Sequence, residues 1–410
     1  MVGGGMAGLA AGATAARAGA SAVVLEAHQP GGRARTTEKD GFVFNMGGHA
    51  LYCGGPGMEV LRDLGVAVSG PKPLLKEYQL LIDGELHLLP SGPSTLLKTT
   101  AMTPRGKAGF AKLLGLLGRL KPSDFAGTTV DEWLADQGLR PDAERVVRAL
   151  IRTSTYNADF ANLSADAAVS QLQSSAAHGV LYLDDGWQPL LDGLAGKVEV
   201  RSGLRVESVA DDGTGVVVEA ADGTRLFGRS AVVAPGGVAA TRSLLPDAPD
   251  WGDLGEPVVA ACLDVGVRGI PSPGYIMSTD DPVFASRQSP PARQAPPGDS
   301  VLALMRYGTR TAAEDRAQLD HYRRLAGVAD DAVAVERFLA RMVVIGAMPL
   351  ARNGGLQGRP TVTATGSRRV FMAGDWVGPD GLLADASLAS GRDAARAAVR
   401  AAEGSATMVA

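Results

Sequence analysis

The sequence predicts an α/β fold in which a doubly wound parallel sheet, with a small antiparallel meander, is interrupted by a second, α+β domain. Three observations predict it. A glycine turn, an alanine-rich helical stretch and a short apolar run ending in an acid open the chain. Residues 198–218 and 225–233 alternate in the manner of strands, with turn signals at Asp211-Asp212-Gly213 and Asp222-Gly223. A second short apolar run, 369–373, stops at Gly374-Asp375 and is followed by a last helical pattern. These signals place one discontinuous domain over 1–70, 190–250 and 365–402, an inserted domain over 71–189 and 251–364, and a tail at 403–410. A chain of 410 residues is long enough for two or three domains with sizeable cores.

Taken in order, the first element carries the most chemistry. Gly3-x-Gly5-x-x-Gly8 runs into a helical stretch, residues 21–26 (SAVVLE) read as a buried strand, and Glu26 follows the last glycine by eighteen residues. That is the spacing of a dinucleotide-binding turn. Gly3 permits the turn, Gly5 lets backbone approach a pyrophosphate, and Gly8 lets helix and sheet pack closely. The helix N-terminus offers free N–H groups to phosphate, and Glu26 can accept bonds from ribose hydroxyls. A strand of about five apolar residues normally precedes such a turn. Only Met1 and Val2 precede Gly3, so further residues upstream of Met1 are expected.

Residues 75–90 hold two strand-like runs around Asp83-Gly84, a hairpin signal. A helix is predicted near 105–121, and another begins at the capping box Thr129-x-x-Glu132 and stops at Gly138. Pro141 opens the next helix, and Ser164 caps one running towards Leu172. The Pro-rich stretch 271–298 reads as loop, 310–345 as helical, and a final helix covers about 387–402.

Composition narrows the function classes. Lys and Arg number 40 against 44 Asp and Glu, a net charge of −4, the wrong sign for general attraction to nucleic acid. Cys53 and Cys262 stand in no paired or metal-ligand spacing, so no disulfide framework and no metal site is expected, and the chain suits a reducing cytoplasm. Neither a basic signal-peptide start nor an uninterrupted 18-residue apolar span is present. Peripheral membrane contact stays open through the helix near 105–121, where Lys112, Arg119 and Lys121 flank an apolar face, although ordinary packing is the expected role.

Beyond the first motif come Gly31-Gly32-Arg33-Ala34-Arg35-Thr36, the segment 41–49 (GFVFNMGGH), Gly186-Trp187, residues 201–209, Val232-Val233-Ala234-Pro235-Gly236 and finally Phe371-Met372-Ala373-Gly374-Asp375 with Gly381-Leu382-Leu383. In this order they resemble the flavin-dependent oxidoreductases that include phytoene desaturases, protoporphyrinogen oxidase and flavin amine oxidases, the phytoene desaturase side most closely. The resemblance implies a Rossmann-like FAD-binding domain. It implies FAD contacts from Gly3, Gly5, Met6, Ala7 and Gly8, and from Glu26, Ala27, Gly32 and Arg33. It further implies contacts from Met46, Gly47, Gly48 and His49 beside the flavin ring, from the Val206 backbone to adenine, and from Ala234, Gly374, Asp375 and Leu383. A helix N-terminus at the flavin pyrimidine would stabilise the negative charge of the reduced ring.

The flavin supplies the reactive atom, so catalytic side chains are few. His49, Trp376 and Tyr307 are candidates, each with a bland alternative as wall or core; Tyr275 and Tyr182 are weaker ones. No second glycine motif with a following acid appears after residue 30, which favours oxygen or a quinone-like molecule over a nicotinamide as electron acceptor. Relatives that oxidise amines commonly carry a lysine near N5 and an aromatic residue after the glycine of the last motif. Here no lysine follows Lys197, and that position is Leu382. The expectation is a dehydrogenase or desaturase of a hydrophobic small-molecule substrate, with an amine oxidase and a non-catalytic binding protein on the same fold as alternatives.

Overall fold

The shortest strand stands in the middle of the sheet. Val2 bridges in parallel to both Leu25 and Val233, with Val2 N–H donating to Val232 O at 2.8 Å and Gly3 N–H to Leu25 O at 2.8 Å. The parallel sheet therefore runs Glu199–Ser202, Val23–Glu26, Met1 and Val2, Ala231–Val233, Val370–Met372. These are strands from the start, middle and end of the sequence. The structure, a computed structural model, describes the backbone of residues 1–407 and the side chains of 1–403.

Small residues let the first and last helices meet. Met6–Arg17 and Leu383–Thr407 pack through Ala7, Ala11 and Ala15 against Ala394, Ala395 and Ala398. A Cβ on Gly391 would lie 2.3 Å from Ala7 O, so this crossing requires glycine. The meander Val206–Asp211, Val216–Ala220 and Arg225–Gly228 packs on the sheet through Val209, Val216 and Val218 against Val2, Leu25 and Val233.

A seven-stranded sheet dominates the rest of the molecule. Its order is Val333–Ile345, Val258–Val267, Ser300–Tyr307, Val283–Ser289, Tyr275–Ser278, Gln79–Ile82, Glu85–Leu88. Only the pairing of Tyr275–Ser278 with Gln79–Ile82 is parallel. Helices Pro104–Leu117, Val130–Asp136, Pro141–Thr155 and Ala165–Ala177 share its largest core, with Phe110, Trp133, Val146 and Val169 among the buried members.

The hairpin turn at Asp83 (φ 52°) and Gly84 (φ 80°) and the capping box of Thr129 with Glu132 stand where the sequence signals put them. Several other readings need correction. Residues 199–202 belong to the parallel sheet rather than the meander. The Pro-rich 271–298 holds two strands, because its prolines sit at strand margins where no ladder N–H is needed. Helix occupies only Ala312–Leu325 of 310–345. Val333–Ile345 is a thirteen-residue strand whose β-branched residues pair along the strand Val258–Val267. Ser164 is the N-cap residue of Ala165–Ala177, as expected, but its hydroxyl donates to Ala126 O instead of accepting from the first turn. The last helix begins at Leu383 and continues to Thr407 through much of the expected tail, whose residues 408–410 lie outside the described residues.

Candidate functional site

Segments distant in sequence converge on one cavity of about 1030 Å³. The helix Met6–Arg17 starts at Gly5, which has no side chain to accept from the first turn. Its leading N–H groups are thereby left for a ligand. Gly3, Gly5, Met6 and Ala7 line the cavity. The three glycines do different work. Gly3 has φ +101°, and a Cβ there would sit 2.3 Å from Ala234 O; a Cβ on Gly5 would meet nothing within 4 Å. Gly8 is off the cavity wall, its would-be Cβ only 1.9 Å from Gly3 O, so it serves packing alone.

Glu26 lines the cavity at the end of its strand, accepting from Gly4 N–H at 2.7 Å and His28 N–H at 2.8 Å. Ala27 is not part of the lining, although Glu26 and His28 on either side are. Gly31 N–H donates to Gly4 O at 2.7 Å, tying the second glycine motif to the first. Gly32 and Arg33 then border the cavity. Arg33 makes a two-pronged pair with buried Asp375, at 2.8 and 2.9 Å, and Asp375 also accepts from Gly346 N–H at 3.0 Å. This carboxylate raises the affinity of Arg33 for its proton, so a fixed cation stands at the wall. Gly374 is held by Ser390 Oγ through both its N–H and its carbonyl, and Leu383 enters the last helix at φ 57°.

The segment Asn45 to Ala50 is sewn down on almost every side. Met46 N–H donates to Arg35 O, Trp187 Nε1 to Gly48 O at 2.7 Å, and His49 N–H to Tyr156 Oη at 3.2 Å. Arg337 donates to Asn45 O and to Asp264 Oδ2 at 2.6 Å. The N–H groups of Gly47 and Gly48 have no partner among the described residues, and both residues, with Met46, face the cavity. Ala234 and Gly236 line it from the returning strand, but Val206 packs between meander and sheet and does not. An uncapped helix start, an acid at the ribose distance in sequence, a fixed cation and free backbone donors fit FAD as an extended, anionic dinucleotide with a hydrogen-bonding ring system.

The three catalytic candidates are not brought to this cavity. His49 is buried with Nε2 3.2 Å from Asp264 Oδ1. Burial pushes the Asp264 carboxyl up, but hydrogen bonds and charge from His49 and Arg337 outweigh it and hold the pKa below the usual range. Cys262 lies alongside, its thiol pushed up by burial. Hydrogen bonds and the Arg337 pair account for this cluster without an ion. Trp376 packs on Trp251, ring centres 5.4 Å apart, within a core of Ala347, Met372 and Val377. Tyr307 is buried against Tyr156, ring centres 6.1 Å apart. Tyr182 and Tyr275 are buried in the same large core as Tyr307.

Tyr156 is the side chain that sequence reading missed. It ends the helix Pro141–Thr155 in a left-handed conformation (φ 56°) and lines the cavity, and burial raises its pKa so that the phenol stays neutral. Nothing in its local sequence marks it. Leu339 and Arg341, Met342, Val343 and Val344 were also missed, because 310–345 read as helical, and so was Gly346 just beyond them.

Asp385, in the first turn of the last helix, is buried, and burial pushes its carboxyl up to about 7 against the pull of a hydrogen bond from Gly57 N–H. The folded chain thus holds a proton that the unfolded chain releases near pH 4. This contribution to stability is full below about pH 4 and lost as pH rises through about 7. Asp385→Asn keeps an acceptor for Gly57 and removes the titration. At pH 8 the variant is expected to be more stable than the parent by about 2 to 4 kcal/mol, with little difference at pH 4. Urea unfolding at both pH values checks this, and equal differences at the two would refute it.

The family model for flavin containing amine oxidoreductase matches residues 6–259. No curated protein sequence matches the chain. Among solved structures, an oxidoreductase from Methanosarcina mazei is 15% identical with a TM-score of 0.74, over 95% of this chain and 97% of that one. Wild-type putrescine oxidase bound to putrescine is 17% identical with a TM-score of 0.71, over 96% and 97%. A fatty acid isomerase from P. acnes that produces CLA is 17% identical with a TM-score of 0.68, over 96% of each chain. At these identities the likeness is one of fold.

Proposed function

We propose, from the premise that this chain belongs to the flavin containing amine oxidoreductase family, that it is an FAD-dependent oxidoreductase whose substrate is a largely apolar organic molecule. The observation that carries the substrate class is the wall beyond the glycine turns. Leu339, Met342, Val344 and Leu383 line the cavity there with Ala50 and Tyr156, and no lysine is among the lining residues. Leu382 is no part of that wall, since it is 1% exposed and packed in the largest core. Arg341 of the same strand also borders the cavity, and burial on the apolar part of this wall contributes about 25 cal/mol per Å² and orients a hydrocarbon.

Bound FAD supplies a hydride acceptor at N5. The chain's own groups bind and orient. Gly3, Gly5 and the helix start hold pyrophosphate, Glu26 takes a ribose, and Arg33, fixed by Asp375, adds positive charge. Gly47 and Gly48 N–H groups are free to donate to the ring system. Tyr156, neutral across the working pH range, offers a hydroxyl and a ring edge to the substrate. Oxygen or a quinone-like molecule would serve as the electron acceptor.

Amine oxidation is the second reading, favoured by Tyr156 and Trp187 both lining the cavity, two aromatic rings on which an amine could rest. Anaerobic stopped-flow bleaching of the flavin separates the readings. Polyenes or polycyclic hydrophobes are expected to bleach it at least tenfold faster than alkyl or aryl amines. The opposite order would establish the second reading.

A further inference from the structure

We propose that residues 72–121 form a surface that docks on an anionic lipid bilayer. Six of the eight lysines of the whole chain fall in this stretch: Lys72, Lys76, Lys98, Lys107, Lys112 and Lys121. Arg105 and Arg119 join them against only Glu77, Asp83 and Glu85, a net charge of +5 within a chain of −4. None of these eight cations makes an ion pair among the described residues, whereas Glu77 pairs with Arg287 and Asp83 with Arg145. The acids of the patch are thus partly neutralised by arginines outside it, and its cations are left for an external anion.

Apolar side chains are exposed on the same stretch. Of the eight large hydrophobic residues exposed among the described residues, six are Leu74, Leu75, Leu86, Leu97, Leu114 and Leu116. Leu97 is 79% exposed, on the short helix Pro93–Lys98. Hydrogen bonds join the elements that carry four of them, Leu86, Leu97, Leu114 and Leu116. Thr99 Oγ1 donates to Leu88 O at 2.6 Å, and Lys107 Nζ donates to Leu97 O at 2.8 Å. The hairpin strand Glu85–Leu88, the helix Pro93–Lys98 and the helix Pro104–Leu117 are therefore tied into one region.

Unpaired lysines interspersed with exposed leucines match an interface where phosphate headgroups overlie acyl chains. Insertion across the bilayer is not involved, since no described helix is long and apolar enough to cross a membrane. The inner face of Pro104–Leu117 buries Phe110, Leu113 and Leu117 in the core that also holds Tyr156, Met342 and Val344 of the cavity wall. The buried side of this helix thus belongs to the same core as part of the cavity wall. An acidic protein partner is the competing occupant, and lipid is favoured because leucines exposed singly among lysines suit a fluid apolar layer better than a fixed acidic face.

The test is flotation of the FAD-loaded protein with vesicles of phosphatidylcholine alone and of phosphatidylcholine with 30% phosphatidylglycerol. Binding to the anionic vesicles, reduced at high salt, is expected. The exposed pair Lys98→Glu and Lys112→Glu should lower partitioning by at least about 25-fold, and Leu97→Glu should lower it further. Phe227→Glu, at the 76% exposed Phe227 on the meander, should leave it unchanged. Flavin content and melting temperature verify that each variant is folded. Failure of the parent to float with anionic vesicles, equal binding to neutral ones, or equal loss in Phe227→Glu would overturn the proposal. Capture by a polyglutamate column without vesicle binding would assign the surface to an acidic protein instead.

Discussion

Gly8→Ala is expected to destabilise the apoprotein by about 3 kcal/mol or more, and Gly5→Ala by about 1 kcal/mol or less. The difference lies in what the new methyl meets. At Gly8 it would stand 1.9 Å from Gly3 O, a backbone atom that cannot yield without moving the turn and the central strand behind it. At Gly5 it meets no protein atom, and it projects from a residue that lines the cavity. Gly5→Ala should therefore fold and yet lose FAD affinity, because the methyl occupies the approach that a pyrophosphate needs. Urea unfolding of apoprotein and fluorescence titration with FAD separate the two effects. Equal destabilisation by both substitutions would show that the open space at Gly5 is not maintained in solution.

Asp375→Ala is expected to be the most damaging change at the far side of the site. It strips Arg33 of both hydrogen bonds and leaves Gly346 N–H without its acceptor. Breaking a fully buried pair costs about 3 to 5 kcal/mol. Arg33, whose side chain is 38% exposed, can turn partly to solvent, so about 2 to 3 kcal/mol is the reasonable expectation here. Asp375→Asn retains an oxygen for Gly346 and should fall between parent and alanine variant. Because Arg33 acts through its pair with Asp375, the double variant Arg33→Ala with Asp375→Ala should cost clearly less than the two singles added together. Melting curves with and without FAD provide the check, and simple additivity would show that the two side chains are independent.

The order of motifs was legible because each is a local necessity. A left-handed turn needs glycine, a buried strand needs an apolar run, and a ribose partner needs an acid at a set distance from the turn. Of the residues that these motifs and their resemblance singled out, Gly3, Glu26, Arg33, Gly48, Ala234, Gly374 and Asp375 line the cavity, whereas Gly8, Ala27, His49 and Val206 do not. The second half of the substrate side was harder to read. Residues 333–345 hold β-branched and long side chains in a pattern that satisfies helical and extended periods alike, and their pairing with 258–267 is what makes them a strand.

What the sequence by itself determined is the dinucleotide-type turn with its acid, read from local backbone and hydrogen-bonding requirements, and, through the resemblance carried by the order of its motifs, the family, the flavin and the discontinuous plan. The tertiary structure alone decided which side chains meet the cavity. His49 turns to Asp264 rather than inward, Trp376 stacks on Trp251, and Tyr156 comes in from the end of a helix more than a hundred residues from the motif it contacts. Those orientations depend on burial and on partners distant in the chain, and so no local pattern of residues encodes them.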